Sequence, residues 1–280
     1  MKMSEEILFI THKKNDGIEK AARKLRREMG NRKLSILSHS VEFNLPGVPV
    51  HHFDRSVLHK TGFPVIGDGI IPGHAHFPIF SHIEKTGFQH EFYWVIEYDV
   101  RFTGKWQLLW KYYNSNSADL ITTHINGYPE TPDWPWWELS HPANEIPLPE
   151  RIRSFNPIYR ISAKAVLFLS DAFRSGWKGH NEVIIPTLLH HYGYKILDMG
   201  GNGMFTENGK RFYTGMSDRN GKLLTGTFRH KPPMKRPGIL RNRLYHPVKK
   251  NGVGLLRNSV GSLYRTMKLN WKQWNEKTVF

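Results

Sequence analysis

Cysteine is absent from the 280 residues, so the chain carries no disulfide, which fits a reducing compartment. No apolar run approaches the roughly 20 residues that a membrane-spanning helix needs. The opening residues, Met1 to Glu6, are polar and pass straight into a strand pattern, unlike a secretory signal. These absences lead us to expect a cytoplasmic protein whose membrane contact, if it has any, is peripheral. The first strand-to-helix turn holds neither a G-x-G-x-x-G nor a P-loop pattern, which removes the common nucleotide fingerprints. Internal repeats, coiled-coil heptads and long low-complexity linkers are missing too. Acid is scarce, with 24 Asp and Glu against 40 Lys and Arg, and beyond Arg229 the only acid is Glu276.

The resulting net charge of +16 attracts phosphate-bearing partners: nucleic acid, an anionic membrane or a nucleotide-linked substrate. Aromatics make up 13% of the chain, with nine Trp, as suits a sugar-binding cleft, although such rings fill cores first. The length allows one large domain with an extension.

Ile7 to Thr11 reads as a strand, and Asn15 or Asp16 as the cap of a helix with Ile18, Ala21, Ala22, Leu25 and Met29 on one face. Gly30 ends that helix and Lys33 to Leu37 reads as a second strand, so the chain starts β-α-β and predicts a parallel sheet. Residues 41–78 are rich in turns and hold His51, His52, His59, His74 and His76. The His74-x-His76 pair lacks a third ligand at zinc-like spacing, so these read as ordinary loop histidines. A short helix over Pro78 to Lys85 leads to the centre of the chain.

That centre is Phe92-Tyr93-Trp94-Val95-Ile96-Glu97-Tyr98-Asp99-Val100-Arg101-Phe102-Thr103-Gly104-Lys105-Trp106. Its apolar start has the composition of a strand buried on both faces. Glu97 and Asp99 follow at alternate positions, so as strand residues they point to one side. Ligands of open α/β sheets gather at the carboxyl ends of strands, and carboxylate oxygens there suit Mg²⁺ or Mn²⁺, which in turn suits a diphosphate. A solvated loop after a core strand is the plainer reading of the same pair. Arg101, Lys105, Trp94 and Trp106 make the neighbourhood charged and aromatic.

Downstream, Trp106 to Asn114 reads as a helix and Asp119 to His124 as a strand. Tyr128 to His141 contains Pro129, Pro132, Pro135, Trp134, Trp136 and Trp137, and fits neither a helix nor a strand interior. It reads equally as a lid whose indoles stack on sugars and as a loop pinned by buried Trp. Arg153 to Ser162 leads to an amphipathic helix over Ala163 to Phe173. Then come Gly176-Trp177-Lys178-Gly179-His180-Asn181-Glu182, a helical Thr187 to Tyr192 and a strand from Tyr194 to Leu197.

The E-x-D-V-R-x-T-G-x-W block resembles the acidic D-x-D-type motif of GT-A-fold glycosyltransferases, and in particular a group of glycosyltransferase-like proteins of bacteria and fungi. The departure is Glu97, where the commoner motif has Asp. The resemblance spans roughly Phe92 to Pro247. It implies a GT-A-like (Rossmann-related), mostly parallel sheet flanked by helices, and a transferase moving a sugar from a nucleotide-sugar donor to a glycan or lipid-linked acceptor in surface polysaccharide synthesis. It further implies Mn²⁺ or Mg²⁺ on Asp99, Glu97 and the late His246, and a donor site with Thr11, His12 and Lys14 beside the nucleotide. Arg101, Lys249 and Lys178 are candidates to add charge stabilisation. Glu182, in a Gly-His-Asn-Glu stretch at a helix start, is implied as the base that takes the acceptor's proton, and a plain helix cap is the alternative. Trp134, Trp136, Trp137, Trp177 and His180 are the candidate sugar-binding residues.

Residues 1–228 read as the catalytic domain and 229–280 as a basic extension completing the site. Leu256, Val260, Leu263, Met267, Trp271 and Trp274 recur at helical spacing beside Arg and Lys, the pattern of a helix resting on an anionic bilayer or docked on the domain. Non-enzymatic binding of nucleic acid or of carbohydrate is the rival function. No known nucleic-acid module is present, and binding alone leaves the paired acids without a purpose.

Overall fold

The computed structural model describes residues 3–201, 203–207 and 211–253. Strand β1 (Glu5–Thr11), helix α1 (Asp16–Glu28) and strand β2 (Lys33–His39) open the chain as expected. The Asn15 side chain accepts the Ile18 N–H at 3.1 Å and so caps α1. Gly30, at φ +67°, supplies the left-handed turn out of it. Next come β3 (Val50–Phe53), α2 (Val57–Lys60), α3 (Phe77–Lys85), β4 (Phe92–Glu97), β5 (Arg101–Phe102) and α4 (Trp106–Tyr113). The second half supplies β6 (Leu120–Gly127), β7 (Leu139–Ser140), β8 (Ile152–Ser162), α5 (Ala163–Ser175), β9 (Lys178–Gly179), α6 (Asn181–His191), β10 (Ile196–Asp198) and β11 (Leu244–Tyr245).

Seven strands form one sheet in the order β10-β6-β8-β4-β1-β2-β3. All its pairings are parallel except those of β8, which runs antiparallel to both β4 and β6. The chain is therefore an α/β protein with a central, mostly parallel sheet flanked by helices. β4 lies between β1 and β8, and its alternate residues enter separate cores. Trp94 and Ile96 face α1 and α4, whereas Tyr93 and Val95 face α3, α5 and α6. This two-sided burial is why the segment reads as a continuous apolar run.

Two elements depart from the sequence pattern. β8 is a fully buried eleven-residue strand, although Arg153, Asn156 and Arg160 break its apolar character. α6 begins at Asn181, so Pro186 lies inside the helix and not before it. His74 belongs to its own loop, with Nδ1 donating to the Gly69 carbonyl at 2.7 Å and Nε2 accepting the Ile66 N–H at 2.9 Å. His76 is buried among the rings of Phe77, Phe80 and Phe173. The helical stripe from Leu256 to Trp274 lies outside the described residues.

Candidate active site

β4 pairs with β1 as far as Glu97, opposite Ile10. The main chain then turns, the Val100 N–H donating to the Glu97 carbonyl at 3.0 Å. Asp99 thus sits on a turn, not on the strand as the alternation suggests. Another segment closes on this turn. β11 runs antiparallel to β5, with Tyr245 opposite Arg101, and the Val248 N–H donates to the Asp99 carbonyl at 2.9 Å. These bonds bring His246 and Lys249 over the acids.

Ligand atoms of Glu97, Asp99 and His246 lie within 4.8 Å of one another. His246 Nε2 stands 3.4 Å from Asp99 Oδ1 and 3.9 Å from Glu97 Oε2. The Nδ1 of the same ring is 2.9 Å from the Arg229 carbonyl, which can only accept, so Nδ1 carries the proton. Nε2 then faces the acids. Asp99 is 2% exposed, and no hydrogen bond reaches its Oδ1 among the described residues. A buried carboxylate oxygen opposite an imidazole nitrogen, with a second carboxylate alongside, is a donor set suited to a hard divalent cation. The residues fit Mn²⁺ or Mg²⁺.

Burial alone would raise the Asp99 pKa, but His246 and Lys249 together hold it down at about 2. The Lys249 ammonium lies 3.2 Å from Asp99 Oδ2. Desolvation and the Asp99 charge push Glu97 up to about 7. Glu182 sits in the first turn of α6, where the ring of His180 caps the helix by accepting the Glu182 N–H at 3.2 Å. Desolvation lifts Glu182 to about 7 against the pull of Arg153, and its charge is felt by Glu97. The acids of β4 and α6 therefore share one electrostatic basin.

Around this basin, Thr11 is tied into a tight turn, its hydroxyl donating to the Lys13 carbonyl at 2.6 Å. His12 packs edge-on against Tyr98, with ring centroids 4.8 Å apart, and Lys14 is exposed. The Arg101 guanidinium clamps the acidic turn through the carbonyls of Tyr98 (2.7 Å), Val100 (2.8 Å) and Gly17 (3.1 Å). Lys178 is exposed on β9. The Trp segment meets the start of α6: Trp136, 44% exposed, stacks on His180 at 5.4 Å, and Trp134 meets the same ring edge-on at 5.6 Å. Trp137 is buried, donating its indole N–H to the Thr131 carbonyl at 2.8 Å. Trp177 is also buried and packs on His141.

No protein-family model and no curated protein matches the chain. Solved structures show distant likeness only. The 4-diphosphocytidyl-2C-methyl-D-erythritol synthase of Anaerococcus prevotii is 8% identical, with 72% of this chain and 90% of that chain covered and a TM-score of 0.42. The galactosyltransferase LgtC in complex with donor and acceptor sugar analogues is 11% identical, covering 70% and 73%, at 0.36. An active-site mutant of LgtC is 10% identical, covering 70% and 72%, at 0.40.

The structure adds two residues that the sequence pattern did not single out, both on β8. Arg153 is buried, lies 4.4 Å over the Trp134 ring and donates to the Gly221 carbonyl at 3.1 Å. It links the Trp segment to Glu182, whose carboxylate it attracts. Asn156 accepts the Thr122 and Ser154 hydroxyls, each at 2.7 Å, and its backbone N–H favours the charged form of Glu182. An Arg near the start of a run that goes on through Phe155, Ile158, Tyr159 and Ile161 is the signal that could have found Arg153.

Proposed function

We propose that the chain is a metal-dependent glycosyltransferase using a nucleotide-sugar donor, with a glycan or lipid-linked acceptor of surface polysaccharide synthesis. The observation that carries this reading is the convergence of Glu97, Asp99 and His246 beside Glu182. A divalent ion held by Asp99, Glu97 and His246 would neutralise the charge that develops on the departing diphosphate. Lys249 adds a fixed cation at the same place, and the exposed Lys14 extends positive charge along the end of β1. Arg101 holds the turn that presents Asp99. Glu182, with a pKa near neutrality, accepts the proton of the acceptor hydroxyl as that oxygen bonds to the anomeric carbon and the bond to diphosphate breaks. Trp136 forms the accessible face of an acceptor platform, with the buried His180, Trp134 and Trp137 packed behind it and Trp177 packed on His141. Residues 229–253 complete the site and belong to the catalytic unit in this reading.

A donor screen that follows release of nucleoside diphosphate, with and without Mn²⁺, tests the proposal. One donor class is expected to turn over with metal, and Asp99→Asn to lower turnover by orders of magnitude in a folded protein. Full activity in excess chelator, or wild-type rates in Asp99→Asn, would remove the metal from the reaction.

A further inference from the structure

The segment leading into β11, Lys235-Arg236-Pro237-Gly238-Ile239-Leu240-Arg241-Asn242-Arg243, carries two aliphatic side chains that face water. Ile239 is 89% exposed and Leu240 50% exposed. Adjacent aliphatics at such exposure gain nothing from solvent, and here they occur on a loop held in a fixed shape. The Leu240 N–H donates to the Tyr245 hydroxyl at 3.1 Å, and the Thr103 hydroxyl donates to the Leu240 carbonyl at 2.7 Å. The Arg243 N–H donates back to Thr103 Oγ1 at 3.0 Å. Gly238 lies against the Tyr245 ring so closely that a Cβ there would stand 2.8 Å from the hydroxyl oxygen. Asn242 takes φ +55° to close the turn. The backbone is thus anchored at both ends while its apolar tip points outward. Lys235, Arg236 and Arg241 are exposed on either side of that tip.

We propose that this loop is a membrane-docking tip that inserts Ile239 and Leu240 into the interfacial region of an anionic bilayer, with Lys235, Arg236 and Arg241 on the lipid headgroups. Charge complementarity identifies the partner. A rim of cations around an apolar tip matches a surface that is anionic outside and apolar beneath. A nucleic acid would use the cations but leave the two aliphatics without a partner. The loop runs directly into β11 and His246, so docking would bring the acid cluster to the membrane surface. This deepens the proposed function by placing a lipid-linked acceptor within reach, and it rests on that reading only for the acceptor. Binding itself needs neither donor nor metal, so it can fail or succeed independently of sugar transfer.

The absence of cysteine makes a clean experiment possible. Ile239→Cys in the full chain gives a single attachment point for an environment-sensitive fluorophore. Leu167→Cys, 51% exposed on α5 across the sheet, is the control. On vesicles of phosphatidylglycerol and phosphatidylcholine, the label at position 239 is expected to blue-shift and brighten, and the label at 167 to stay unchanged. Pure phosphatidylcholine should give a much weaker response. Unlabelled Ile239→Asp/Leu240→Asp should lose co-sedimentation with the anionic vesicles by about tenfold or more. Three outcomes overturn the proposal: no co-sedimentation of the wild-type chain, sedimentation with a silent label at 239, or a label that responds to duplex DNA but not to vesicles. The second would move the membrane contact to another part of the chain.

Discussion

Three carboxylates of one basin carry different protonation tendencies, and named neighbours account for each. Asp99 has Lys249 at 3.2 Å and His246 at 3.4 Å, and it stays charged despite its burial. Glu97 stands farther from His246, at 3.9 Å, and Glu182 feels Arg153 as a pull that burial outweighs, so desolvation lifts both to about 7. Environments that push carboxyl pKa values apart divide roles between charge holder and proton acceptor. Glu182 works as a base only when deprotonated, so kcat/KM is expected to rise with pH through about 7, the value to which Glu182 is lifted. Glu182→Gln should lose that rising limb and about 10²–10⁴-fold in rate, while donor binding, followed by calorimetry, is retained. A rate that is flat with pH through this range, or a Gln variant that keeps the limb, would take Glu182 out of the proton transfer. The sign for stability runs the other way. With its folded pKa raised, Glu182 holds its proton longer in the native state, so its contribution to stability falls as pH rises from the ordinary carboxyl value towards 7.

At the level of elements, the parallel half of the sheet was legible because its signals are local. Asn15 caps α1, Gly30 ends it, and the two-faced apolar run of β4 marks a central strand. β8 was not legible as a strand, because its buried positions hold charges that only tertiary partners explain. Arg160 is fully buried and donates to Glu5, to the Tyr113 and Ala118 carbonyls at 2.9 and 3.2 Å, and to the Asn116 carbonyl. Those partners come from β1, the end of α4 and the segment that follows it, far away in sequence. The site was half legible for a similar reason. Glu97 and Asp99 are neighbours in the chain, but His246 reaches them only because β11 pairs with β5, and no local pattern encodes that pairing. Arg160→Met is expected to leave Glu5 with Arg32 as its cation beside the Trp94 indole N–H, and three carbonyls short of a donor. Breaking a buried ion pair in this way costs about 3 kcal/mol or more, which a urea titration would show as a lower midpoint. A loss under about 1 kcal/mol would mean that water replaces the guanidinium.

For the whole molecule, the +16 charge and the acid cluster make opposite demands, and the site is where they meet. The basic surface draws in a phosphate-bearing donor, while Glu97 and Asp99 repel it unless a cation lies between them. Lys249 supplies part of that cation by pairing with Asp99 Oδ2, leaving Oδ1 and His246 Nε2 facing each other across 3.4 Å. A divalent ion that binds this arrangement only in the folded state must stabilise the fold as a whole. At a concentration one hundred times its dissociation constant, the gain is about 2.7 kcal/mol. For a chain of this size, that corresponds to a rise in Tm of roughly 5 °C. A thermal scan with Mn²⁺ or Mg²⁺ is expected to show this shift, and a chelator to reverse it. Asp99→Asn and His246→Ala should each abolish most of it while still unfolding cooperatively, whereas His59→Ala, on α2, should keep the full shift. If the metals raise the Tm of Asp99→Asn as much as that of the wild type, the ion binds elsewhere and the acid cluster is no metal centre.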